Sequence, residues 1–216
     1  MTELNTIRDI AREALIVSAN GTDKDHSLWD CAQRLARSTE HICKLPELSR
    51  LTTQIDMFCL ITAAYFSNAA FAGMQKETPA QNDNDAIAAI CTRAVSDKLG
   101  GILDPIAVKR VNRIITESFS RSTSMPEAMI LSDARNLEDI GTVGLFNEIK
   151  RYSAAGKGIS DVLNIWRRKT EYQYWQARLK ESFIFESVRK IAERRLAEAE
   201  QLLSRLNIEN AASDIQ

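Results

Sequence analysis

Residues 56–74, DMFCLITAAYFSNAAFAGM, are apolar on nearly every side and carry no charge after Asp56. A helix that is hydrophobic all round is either the central helix of a soluble bundle or a membrane span. The uncharged run is eighteen residues long, whereas a span needs roughly 20, and it contains the polar residues Ser67 and Asn68. The stretch therefore predicts a buried central helix, entered from Glu47.

The composition is that of a globular domain without a strong overall charge. The 216 residues include 28 basic and 29 acidic side chains, which gives a formal net charge of -1. No global field therefore draws the chain to nucleic acid or to an anionic membrane. Its cysteines are far apart among apolar neighbours, which is typical of reduced thiols and predicts a cytoplasmic location; these are Cys31, Cys43, Cys59 and Cys91.

The remaining chain shows helical spacing of its apolar residues, and no stretch alternates as a strand would. The fold class predicted from this pattern is all-α. Asn20-Gly21 is expected to end the first helix, and Asp104-Pro105 is expected to cap another. The predicted segments are residues 4–17, 28–42, 86–99, 105–115, a short turn at 126–131, 137–151, and one long helix over 171–206.

Three of these segments have distinctive sequences: residues 29–36, WDCAQRLA, residues 63–68, AAYFSN, and residues 130–145, ILSDARNLEDIGTVGL. Taken together they resemble the HD superfamily, the all-helical metal-dependent phosphohydrolases named for a His-Asp pair. The resemblance implies an HD-domain, phosphodiesterase-like helical bundle with a long C-terminal helix. It divides the chain into an N-terminal helix over residues 1–21, an HD-like all-helical domain over 22–210, and a disordered tail over 211–216.

The resemblance also implies where metal ligands would stand. Asp133 falls on the position of the family's last aspartate ligand, Cys31 on its first histidine, and Ser67 and Asn68 on the defining His-Asp pair. A second register places His26 at the first ligand position instead, and both registers remain open. We expect these positions to form a vestigial pocket, with Asp133 and His26 as the residual metal candidates.

Each candidate also has a plain structural interpretation. Asp133 follows a serine at an expected helix start, so a helix cap is as good an interpretation as a ligand. His26 is expected to be solvated, Cys31 to pack in the core, and Asn68 to need hydrogen-bond partners. The basic run 167–169, followed by aromatic residues at 172, 174 and 175, is expected to be a solvated helix face rather than a nucleic-acid surface.

These observations predict an HD-like protein whose metal site has eroded. The predicted function is non-catalytic: a cytoplasmic ligand-binding, regulatory or protein-interaction module, with no catalytic residues and no cofactor beyond weak divalent metal binding. Its expected partner is a protein or a small phosphorylated ligand, not nucleic acid or a membrane, and a homodimer is possible through the C-terminal helix. The alternative is a divergent metal-dependent phosphohydrolase acting on a nucleotide or phosphate ester through His26, Asp133 and non-standard donors.

Overall fold

The computed structural model describes residues 2–19, 23–49, 55–73, 83–120 and 122–215. The described chain is helical apart from one two-stranded ribbon, so the all-α prediction is confirmed. It divides into two compact units, residues 1–134 and 135–216. The predicted division at residues 21 and 210 stays a prediction.

The first unit contains five complete helices and the greater part of a sixth. They are α1 (Thr2–Leu15), α2 (Ser27–Cys43), α3 (Met57–Phe66), α4 (Asn84–Leu99), α5 (Pro105–Glu117) and α6 (Pro126–Glu138). Short 3-10 helices cover Pro46–Leu48 and Ala69–Gly73. The central helix α3 packs against α1, α2, α4 and α5, and its residues from Cys59 to Ala64 are all buried. The stretch predicted to be the core of the fold is therefore its core.

The central helix is shorter than the sequence predicted. Asp56 caps its start by accepting a hydrogen bond from the Cys59 backbone N–H at 3.0 Å. It ends at Phe66, and the chain then turns at Ser67 and Asn68 instead of continuing as helix. The prediction of one helix through residue 74 was wrong because these two polar residues mark a turn; residues 50–54 and 74, which the prediction also included, lie outside the described residues.

The chain after α1 was also predicted incorrectly. Helix α1 ends at Leu15, and strand β1 (Val17–Ala19) pairs antiparallel with strand β2 (Asp23–Asp25). The sequence between the strands contains Asn20-Gly21, expected above to end the first helix; this dipeptide is also favoured in tight hairpins. Those two residues lie outside the described residues.

Other boundaries follow from local chemistry. The Asp104 carboxylate accepts the backbone N–H groups of Ile106 and Ala107 at 2.8 and 3.0 Å, which confirms the predicted cap of α5. Helix α4 begins at Asn84, two residues earlier than predicted, because Asp83 accepts the backbone N–H of Ala86 at 3.0 Å. The polar loop predicted before it falls largely on residues 74–82, outside the described residues.

The second unit completes α6 and adds four helices: α7 (Thr142–Ala154), α8 (Ile159–Glu171), α9 (Tyr174–Ser182) and α10 (Glu186–Asn210). Helix α10 is 25 residues long and contacts α7, α8 and α9, as the predicted long C-terminal helix requires. The expectation of one helix over 171–206 was wrong, because the chain breaks at Tyr172-Gln173 and again at residues 183–185.

Gly141 forms the corner between α6 and α7. Its φ of +99° lies in the left-handed region, and an added Cβ would stand 2.8 Å from the Cβ of Arg195 on α10. Only glycine fits both demands without strain. Gly141 therefore allows α10 to pack closely against the corner between α6 and α7.

Candidate functional site

The predicted pocket residues lie on α2, at the end of α3 and on α6, all in the first unit. The Asn68 side-chain amide donates a hydrogen bond to Cys31 Sγ at 3.2 Å. Two residues before Cys31, Trp29 stacks on Tyr65 with ring centres 5.7 Å apart. Two of the three family-like segments therefore face each other, and two of the positions that the resemblance gives to metal ligands, Cys31 and Asn68, are joined by a direct hydrogen bond.

Ser67 is fully buried and faces its own helix. Its Oγ donates to the Ala64 carbonyl at 3.0 Å, while its own carbonyl accepts from Cys91 Sγ at 3.2 Å. A hydroxyl bonded in this way ends the helix turn and offers no strong donor to an ion. Ser67 therefore has a structural task at this position.

Asp133 is fully buried in the interior of α6. The proposal that it caps a helix start was wrong, since α6 begins seven residues earlier at Pro126. A buried carboxylate requires compensating polar partners, so its burial is a marked feature of the first unit. His26 differs, because it is exposed at the N-cap of α2 and makes no side-chain capping bond.

Two of these positions carry weak ligands for a divalent metal ion. Asn68 presents a donating N–H toward a thiol, Ser67 is committed to a backbone carbonyl, and neither is a ligand that a first-row ion prefers. Over the residues that the structure describes, no group of three or more His, Cys, Asp or Glu side chains is arranged to hold a metal.

The start of α3 carries a charged cluster that the sequence did not reveal. Glu127, on the first turn of α6, is only 1% exposed, and its Oε1 accepts the Asp56 backbone N–H at 3.0 Å and an Arg110 N–H at 2.5 Å. The only sequence signal was an acidic residue following a helix-starting proline.

The four cysteines are free thiols, and burial raises the pKa of two of them. Burial raises the pKa of the Cys43 thiol to about 11. It also raises the pKa of Cys59 to about 12, with a further contribution from the Asp56 carboxylate.

We expect iodoacetamide at about pH 8 to modify Cys31, which is half-buried, well before Cys43 and Cys59, because only the thiolate attacks. Pulsed labelling of the native protein followed by peptide mass spectrometry measures the order. A Cys31→Ser variant should lose the fast phase. Modification of Cys43 or Cys59 ahead of Cys31 would contradict the expectation.

The basic and aromatic residues of the second unit do not form one exposed surface. Lys169 forms an ion pair with Glu148, and its Nζ lies 5.1 Å from the Trp175 ring centre and 5.9 Å from that of Trp166. Both tryptophans are buried, and their rings are 4.5 Å apart. Lys169 therefore links α7, α8 and α9 through its contacts. The absence of nucleic-acid binding stays a prediction.

No helix within the described ranges has the length and apolar character that crossing a membrane requires.

These features define an all-α helical protein. No protein-family model and no curated protein matches the sequence. The chain is similar to the crystal structure of selenomethionine Bacillus subtilis YpgQ, with a TM-score of 0.63 and 18% identity over 96% of each chain. It is also similar to Bacillus subtilis YpgQ in complex with ADP, with a TM-score of 0.58 and 20% identity over 97% of each chain.

The Lin1889 protein from Listeria innocua gives a TM-score of 0.56 and 17% identity over 98% of each chain. At these identities the similarity establishes the fold alone.

Proposed function

We propose that this chain is a non-catalytic ligand-binding or regulatory module built on a phosphohydrolase-like helical fold. The observation that carries the proposal is the hydrogen bond from Asn68 to Cys31, at positions that the family resemblance gives to metal ligands. An amide–thiol pair closes this space with a neutral contact and supplies neither an imidazole nor a second carboxylate. These two positions therefore do not supply the ligands that would hold a metal ion and its bound hydroxide.

The ligand that we propose is a small phosphorylated molecule. YpgQ, which has a similar fold, was crystallised with ADP, and this supports adenine nucleotides as the first probes. The four free thiols support a reducing, cytoplasmic location as part of the same proposal. Self-association through α10 is a further part of it, to be measured by sedimentation.

Turnover and metal content test the absence of catalysis. We expect protein purified without chelator to retain no stoichiometric divalent ion, and to hydrolyse neither nucleotides nor simple phosphate esters with added manganese or magnesium. Because Asp133 is fully buried, Asp133→Asn, which keeps its shape, is the matched variant, with folding checked by circular dichroism.

The alternative is a divergent metal-dependent phosphohydrolase. It is favoured by the complete burial of Asp133 and by the ADP complex of YpgQ. Metal-dependent hydrolysis that is lost in folded Asp133→Asn protein would establish this alternative and overturn the non-catalytic proposal.

A further inference from the structure

Two adjoining cavities lie on α8 in the second unit. The first has a volume of about 280 Å³ and is lined by Lys157, Asp161, Asn164, Ile165, Arg167 and Arg168. The second has a volume of about 460 Å³ and runs between α8 and α10. Asn164 and Arg167 line both, so the two cavities are neighbours along α8.

The first cavity has an excess of positive charge. Three of its lining side chains are cationic, and its one carboxylate, Asp161, already accepts the Gly158 backbone N–H at 3.0 Å. Arg168 forms no side-chain ion pair with any residue that the structure describes. Free guanidinium groups bind phosphate through paired, charge-assisted hydrogen bonds, so this cavity suits an anion.

Arg167 is available as well. Its contacts are a 3.3 Å hydrogen bond to Asn164 Oδ1 and a 3.7 Å approach of its Nε to Glu171 Oε1, where both side chains are more than half exposed. Exposed pairs of this kind contribute little free energy, so an anionic ligand displaces them at small cost.

The second cavity has a mixed lining, in which polar side chains, among them Glu200, accompany an apolar patch. Leu163 and Trp166 on α8 and Leu203 on α10 line it. Trp166 is 7% exposed, and its Nε1–H is buried without an acceptor among the described residues. A buried donor without a partner costs free energy.

We propose that the two cavities form one binding site for a nucleoside phosphate, with the phosphates held by Lys157, Arg167 and Arg168 and the base lying against Trp166 and Leu203. This inference rests on the proposed ligand-binding function and names its site and ligand class. The site belongs to the second unit, whereas the predicted vestigial pocket belongs to the first.

The test is calorimetric titration of the full chain with ADP, comparing wild type with Arg167→Ala, Arg168→Ala and Arg194→Ala. Arg194 is an exposed arginine of α10 that lines neither cavity, so it is the matched control. We expect each of the first two substitutions to weaken ADP binding about tenfold, and Arg194→Ala to leave it unchanged. Added salt should weaken wild-type binding more than Arg168→Ala binding, since one fewer charge is screened.

Pyrophosphate measures how much the phosphate groups contribute to binding without the base and the ribose. We expect pyrophosphate to bind more weakly than ADP and to lose affinity in Arg168→Ala by the same factor as ADP. Only ADP should change the tryptophan fluorescence. Absence of ADP binding, or equal binding by wild type and Arg168→Ala, would overturn the inference.

A loss of ADP binding on Asn68→Ala but not on Arg168→Ala would place the ligand in the first unit, which also overturns the inference but leaves the proposed function standing. The absence of catalysis in the proposed function is tested separately, by turnover and metal content with Asp133→Asn as the matched variant, so the two failures are distinguishable.

Discussion

Phe66→Ala is expected to destabilise the first unit by about 4 kcal/mol, because truncating a buried phenylalanine removes its burial free energy and leaves a cavity. Phe66 has no exposed surface and lies at the end of α3, the helix that α1, α2, α4 and α5 surround. Close-packed neighbours of this kind cannot collapse fully into the space. Urea unfolding followed by circular dichroism measures the loss.

Phe71→Ala is the matched control. Phe71 follows in the same unit but is 38% exposed, so its truncation should change the free energy of unfolding by about 1 kcal/mol or less. If Phe66→Ala were no more destabilising than Phe71→Ala, the packing around the end of α3 would not be that of a core.

The sequence predicted the burial of α3 but not its length. An unbroken apolar pattern indicates that a segment is surrounded by other elements, and residues 59–64 are all buried. The end of the helix depends instead on two polar residues, since Ser67 bonds back to Ala64 and the Asn68 carbonyl accepts from Phe71 in the following turn. The same turn brings Asn68 to Cys31, a contact 37 residues apart that no local pattern contains.

The helix around Asp133 shows a different limit of sequence analysis. Ser132-Asp133 has the composition of a helix cap, yet α6 runs through it and buries the carboxylate completely. Burial is decided by the neighbouring elements rather than by the residue's own preference. For the same reason the break at residues 183–185, Phe-Ile-Phe, could not be predicted, because it contains neither glycine nor proline.

The charged cluster at the start of α3 joins three helices through one carboxylate. Glu127 on α6 accepts from Asp56, the cap of α3, and from Arg110 on α5. The hydrogen bond to Glu127 raises the pKa of the Arg110 guanidinium above its ordinary value. Arg110 Nε also lies 3.6 Å from Asp56 Oδ2, an ion pair too long to be a hydrogen bond. Because each partner is more than fifteen residues from Glu127 in sequence, charge patterning along single helices could not reveal the cluster.

Glu127→Ala is expected to destabilise the first unit by about 3 kcal/mol, since it leaves the Asp56 N–H and the Arg110 guanidinium without their shared acceptor. The loss in the free energy of unfolding should lie at the lower end of the range for a broken buried ion pair. The reason is that the Arg110 side chain is 41% exposed, so water solvates part of the remaining charge. Glu127→Gln should recover part of the loss, as its amide oxygen still accepts the Asp56 N–H. Urea unfolding of the three proteins measures the differences.

The control is Asp9→Ala, which removes the exposed ion pair between Arg8 and Asp9 in the same unit. Its expected cost is about 0.5 kcal/mol or less, because solvent screens exposed charges. If Glu127→Ala cost no more than Asp9→Ala, the cluster would be a surface ion pair in energetic terms, despite a carboxylate that is 1% exposed. A large loss that Glu127→Gln did not recover at all would instead assign the stabilisation to the charge on the carboxylate, rather than to its hydrogen bond with the cap of α3.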